Sequence, residues 1–232
     1  MHYQELTITL LLRKDLHNRN ALEKLGEMLN HAMLDHPELK ELHGMSGYKF
    51  YVYNNLFPLE KTGVYREGNI YVVRVRSMKD DFISKLKPVL RHVQHPYFQV
   101  IAIENHRVQQ RQIYELYTLT PFIVTVDGQP WLVQKDDLDL LIERLHANAE
   151  KKYKQLYGEE YQGYQPFIQR LEILNSKPIG NSYKGITLLG NKAKIVVNED
   201  TWSQKLAFVT LGSGLGEKGS SLGGGYCLAN FI

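Results

Sequence analysis

Residues 47–53, GYKFYVY, and residues 69–77, NIYVVRVRS, are two alternating runs with no helical pattern between them. A period of two marks half-buried strands, so two strands follow one another directly. Ahead of them, residues 20–36, NALEKLGEMLNHAMLDH, set Leu22, Leu25, Met28, Leu29, Ala32 and Met33 at helical spacing, with Asn20 placed as the cap. Behind them, residues 79–93, KDDFISKLKPVLRHV, predict a short helix that kinks or ends early at Pro88. Residues 3–12 and 97–108 read as strands. The order is strand, helix, strand, strand, helix, strand.

The second half repeats that order more loosely. Residues 116–126 predict a strand, and residues 134–158 a long helix. Residues 167–176 and 184–198 predict strands, the second bent at Gly190. Residues 199–212 predict a helix, and the last residues a strand. Two β-α-β-β-α-β runs predict an α+β protein of two tandem ferredoxin-like (RRM-like) domains, 1–115 and 116–232. A chain of 232 residues suits two small domains.

Composition narrows the classes. Charged residues make up 23% and apolar residues 43%, which is globular and not disordered. Cys227 is the one cysteine, which leaves no disulfide framework or cysteine metal site and predicts a reducing compartment, the cytoplasm. Glu5 and the threonines around it interrupt the first apolar run, so no signal peptide is read there, and no run reaches membrane-spanning length. The net charge of +3 permits a polyanionic partner. Tyrosines interleaved with lysines and arginines in both opening strands suit single-stranded nucleic acid, although tyrosines on strands also simply pack.

Gly212 to Cys227, GSGLGEKGSSLGGGYC, holds 7 glycines in 16 residues. GLGEKG matches G-x-G-x-x-G, but only 13 residues follow Gly219, too few for the helix, strand and acidic residue of a dinucleotide site. The P-loop pattern fails as well, because Lys218 is not followed by Ser or Thr. A phosphate-cradling backbone explains the composition better than a turn does, since residues without Cβ let amides approach oxygens. The expected phosphate-backbone contacts are Gly214, Gly216 and Gly223 with Lys218, Ser220 and Ser221.

GLGEKGSSLGGGY resembles the C-terminal glycine-rich signature of the CRISPR repeat-processing endoribonucleases, the Cas-six family of the RAMP superfamily. It departs at GSS, one residue longer than the usual Asn-Ser, and at Gly224, where an apolar or aromatic residue is usual. The tandem fold extends the resemblance to essentially the whole chain. It implies a protein that binds CRISPR repeat RNA, single-stranded or hairpin, and cuts precursor transcripts without a metal or other cofactor. Other Cas proteins of an effector complex are implied partners, and a membrane is not.

The resemblance also implies a site. His43 and Lys49 fall on the family's histidine, after a helix, and its lysine, at the opening of a strand. Some members carry a tyrosine on the first helix; here that position is Asn30, with His31 next to it, so either His31 substitutes or the site works with His43 and Lys49. His43 lies in what reads as a flexible segment between helix and strand. Strand alternation from Lys49 sets Tyr51 and Tyr53 on its face. Such a set would activate a ribose 2′-OH against its own phosphodiester, with histidine moving the proton and lysine stabilising charge. Among the 9 histidines, His92 and His95 could share a helix face, but no third ligand is near and metal binding is not supported. A catalytically silent RNA-binding module of the same fold is the alternative; a small-molecule-binding ferredoxin-like protein lacks any supporting motif.

Overall fold

A computed structural model describes residues 1–133 and 137–232. The first half forms β1 (His2–Leu12), β2 (Leu16–His17), α1 (Asn18–Leu34), α2 (Pro37–Gly44), β3 (Tyr51–Tyr53), β4 (Val64–Tyr65), β5 (Ile70–Ser77), α3 (Asp80–Leu90) and β6 (Phe98–Gln109). The second half forms β7 (Ile113–Thr118), β8 (Thr125–Val126), β9 (Gln129–Pro130), α4 (Leu138–Tyr157), β10 (Ile168–Ile173), β11 (Ile179–Tyr183) and β12 (Ile186–Gly190). It continues with β13 (Ala193–Val197), α5 (Thr201–Ser213), α6 (Gly219–Leu222) and β14 (Cys227–Phe231). The main sheets run β3-β5-β1-β6 and β10-β13-β7-β14, antiparallel throughout. In each, the first and third strands of a β-α-β-β-α-β run lie in the middle, so both halves are ferredoxin-like.

β1 shows why the first sheet forms. Leu6, Ile8, Leu10 and Leu12 alternate inward and are almost fully buried, and they pack with the Leu22, Leu25, Met28, Leu29 stripe of α1. In the second half, α5 is apolar nearly all round, with Leu206, Ala207, Phe208, Val209 and Leu211 buried. It needs that composition because both sheets cover it: it packs on β7, β13 and β14 and also on β3 and β5.

Several boundaries differ from the sequence reading. His17, not Asn20, caps α1: its Nδ1 accepts the Arg19 N–H at 3.2 Å. The chain enters the helix before Asn20, whose side-chain oxygen accepts the Ser182 hydroxyl at 2.7 Å instead. The segment expected to be flexible contains α2, with Pro37 at its start and Leu39 and Leu42 packed on the first core. The strand expected from residue 47 is ordered only from Tyr51, because Phe50 has φ 57°. That turn sends Phe50 into the second core while Tyr51 and Tyr53 enter the first, so Lys49 shares no strand face with them. The strand expected at 116–126 is β7, Ile113–Thr118, and stops before Pro121; the strand expected at 184–198 is two strands, β12 and β13, in separate sheets rather than one bent one. At Gly190, between them, a Cβ would lie 2.6 Å from the Phe122 carbonyl oxygen. α4 is ordered from Leu138, capped by Asp137; the expected start at residues 134–136 lies outside the described residues. Pro88 sits in the last turn of α3, which ends two residues later.

Candidate RNA-cleavage site

His43 occupies the last turn of α2, and Lys49 lies six residues on, just before β3. The chain reverses between them through Gly47, at φ 102°, and the Lys49 ammonium donates to the His43 carbonyl at 2.7 Å. A cation at this carbonyl suits the negative end of α2. Both side chains line a cavity of about 250 Å³ together with Asn30 of α1, Tyr183 and Lys184 of the β11–β12 turn, and Ser220 and Ser221 of α6. A second cavity of about 390 Å³ adjoins it, sharing Lys49, Tyr51, Tyr183, Ser220 and Ser221 and adding Lys218. The two form one cleft between the halves of the molecule.

His43 Nδ1 is buried with no hydrogen-bond partner among the described residues. Burial, then the cations of Lys49 and Lys184, push its pKa below the usual histidine value, which keeps the imidazole neutral near pH 7. Burial and then Lys184 lower Lys49 likewise. A neutral imidazole beside an ammonium is competent to accept a proton while the cation holds a phosphoryl oxygen.

At the helix position, Asn30 lines the cleft. His31 is not among the lining residues; it is exposed, its ring 5.8 Å from that of buried His95. The glycine loop is also divided. Gly214 and Gly223 are buried and do not line the cleft, and Cβ atoms there would lie 2.9 Å from the Gly224 oxygen and 2.4 Å from the Tyr53 oxygen. Gly216 reaches the cleft wall, but its Cβ position is 2.6 Å from the Ile123 oxygen. The close approach these glycines permit is to protein backbone. Lys218 is exposed and Ser220 and Ser221 half-buried, and these three face the cleft.

Several contributors were not foreseen. Lys152 of α4 is fully buried and donates to the Gly214 and Gly216 carbonyls at 2.6 and 2.9 Å, with burial drawing its pKa down to about 7. Glu217 accepts the Thr125 amide and hydroxyl at 3.0 and 2.9 Å, which fastens the loop to β8. Tyr183 and Lys184 come from a hairpin whose Lys-Gly turn is a legible signal, though nothing in the sequence says it folds over α1. Among the described residues no three His, Cys, Asp or Glu side chains are grouped as for a metal, and no helix is long and apolar enough to cross a membrane.

No family model matches the chain. The CRISPR-associated endoribonuclease Cas6 2 of Methanocaldococcus jannaschii is 26% identical over 144 residues, which is 56% of this chain and 56% of that relative. The chain thus matches a little over half the length of this curated relative. Among solved structures, a CRISPR-associated protein Cas6 superposes with a TM-score of 0.73 at 19% identity, covering 98% of this chain and 99% of that one. A RAMP protein described as binding different RNA substrates gives 0.76 at 16% identity over 98% and 99%. A Cas6-related protein from Pyrococcus furiosus gives 0.73 at 17% identity over 98% of each. The resemblance first carried by the glycine signature therefore extends to the whole architecture: the chain has the fold of the Cas6 and RAMP proteins and resembles a Cas6 endoribonuclease in sequence.

Proposed function

We propose that this chain binds CRISPR repeat RNA and cleaves precursor transcripts into guide RNAs, independently of metal, leaving 2′,3′-cyclic phosphate and 5′-OH ends. The observation that carries this reading is the meeting of His43, held neutral, with Lys49 in one cleft walled by Ser220 and Ser221. A ribose 2′-oxygen attacks the adjacent phosphorus and its proton passes to His43. The bond from phosphorus to the 5′-oxygen breaks, its electron pair leaves with that oxygen, water supplies the proton that completes the 5′-OH, and His43 returns its own proton to solvent. Lys49 stabilises the negative charge that builds on the phosphorane. Asn30 fills the helix position as a hydrogen-bond donor to a phosphoryl oxygen. Lys218, Ser220 and Ser221 hold the neighbouring backbone, and Gly214, Gly216 and Gly223 act indirectly by packing the loop that presents them. A cytoplasmic setting, alone or with other Cas proteins of an effector complex, accords with this chemistry.

The test uses a CRISPR repeat RNA and the same RNA with one 2′-deoxy at the cut site, in excess EDTA. Wild type should cut the first and bind the second uncut. Cleavage lost in EDTA and regained with magnesium, or cutting of the deoxy RNA, would overturn the mechanism. Asn30 in place of a tyrosine, and a Lys49 ammonium already engaged with the His43 carbonyl, favour a second reading as a silent RNA-binding module. Tight binding by wild type without cleavage would select it.

A further inference from the structure

The β11–β12 turn carries two residues of the second half over the cleft of the first. Lys184 and Gly185 have φ values of 50° and 80°, the paired left-handed conformation of a two-residue hairpin turn. Asn, Asp or Gly is usual at the first of these positions, and a lysine there is held at some backbone cost. Its anchors are both on α1: Glu23 accepts the Lys184 N–H at 2.5 Å, and Asn20 accepts the Ser182 hydroxyl at 2.7 Å. The exposed lysine side chain passes 5.5 Å from the centre of the Tyr183 ring and lines the cleft that holds His43 and Lys49.

The carboxylates lining that cleft are already engaged. Glu23 takes the turn amide, and Glu27 accepts from the Lys24 ammonium at 2.8 Å. Lys184 has no carboxylate partner among the described residues, while its charge contributes to lowering both His43 and Lys49. Two ammonium groups and a neutral imidazole thus face one space whose carboxylates are held by the turn amide and by Lys24, which suits Lys184 to a phosphodiester whose negative charge grows during reaction.

We propose that Lys184 is a catalytic residue, a phosphate-binding cation delivered by the second half of the chain to the His43 and Lys49 of the first. The proposal rests on the RNA-cleavage reading above for its substrate class. The bland alternative is a solvated lysine at a turn tip.

Substitution to glycine separates the two, because glycine suits a φ of 50° while removing the charge. Lys184→Gly should melt at or above the wild-type temperature. Inorganic phosphate titrated into the RNA-free protein, read on the His43 imidazole resonance, should bind at least about fivefold more weakly in Lys184→Gly and Lys184→Met. Lys184→Arg should stay within about twofold. With repeat RNA, kcat should fall about 10²- to 10³-fold in the glycine variant with little change in KM, and arginine should restore most of it. Unchanged phosphate affinity and kcat in a folded Lys184→Gly would overturn the proposal. Weakened phosphate binding in a protein that cuts no repeat RNA would sustain the cation and reject the substrate.

Discussion

His43 and His95 are both held neutral, with different consequences. For His43 the consequence is a rate. Its pKa lies below the usual histidine value, so cleavage should be level above pH 7 until the Lys49 ammonium, itself lowered, loses its proton, and should fall about tenfold per unit below the depressed histidine pKa. His43→Ala should bind repeat RNA nearly normally, since many cations share the grip, while its cleavage falls by roughly 10² to 10⁴. For His95 the consequence is stability. Its ring stacks on Phe98 at 5.1 Å, it is 4% exposed, and burial lowers its pKa to about 4. As pH falls below about 6.5 the unfolded chain takes up this proton first, so stability is lost until the folded pKa is reached. The loss attributable to His95 should total about 3 kcal/mol by pH 4. Urea denaturation of wild type and His95→Phe at pH 7 and pH 4.5 checks it: the wild type should lose the greater part of that amount relative to the variant.

The glycine loop behaves as packed interior with a polar edge. At Gly225 a Cβ would lie 2.0 Å from the Leu215 oxygen, at φ 68°, so Gly225→Ala should cost on the order of 3 kcal/mol or prevent folding. Gly44 ends α2 with nothing near its Cβ position, and Gly44→Ala should be neutral or stabilising by up to about 1 kcal/mol. Lys218 is exposed at φ 63°, so Lys218→Gly should hold or raise stability while weakening RNA binding and flattening its salt slope by about one phosphate contact. Salt-titrated binding alongside thermal melting reads both. The loop shows how legibility divides. Its composition and signature are visible in the chain, but Gly216 and Gly223 are needed by the distant oxygens of Ile123 and Tyr53, which no local pattern reveals. The long alternating strands and α1 announce themselves because their periods are local. α2, the Phe50 reversal and the β11–β12 hairpin over α1 are decided by tertiary contacts, and so Asn30, His43 and Lys49 could be nominated while Tyr183, Lys184 and Lys152 could not.

The two halves are tied through a buried charge. Arg76 of β5 is 4% exposed; its Nε donates to Glu5 of β1 at 2.5 Å, and its guanidinium reaches the Cys227 and Leu211 carbonyls at 2.6 and 3.3 Å. Tyr226 and Tyr3 flank it at 4.2 and 5.2 Å. Arg76→Ala takes the shortest partner from the Glu5 carboxylate, leaving it the Tyr226 hydroxyl at 3.1 Å and Arg74 at 3.7 Å, and should cost about 3 kcal/mol. Guanidinium denaturation followed in both halves should give one shared transition, in the variant as in wild type. Against this first-half arginine in the second half's strand stands the second half's hairpin on the first half's helix, so each half holds part of the other. The consequence concerns descent. Halves that look like tandem copies are not exchangeable parts. A recombination joint near residue 111 would leave Glu5 and Arg76 from one parent facing a glycine loop and hairpin from another. Such chimaeras should survive only where both parents share those contacts, and the two halves should be inherited together.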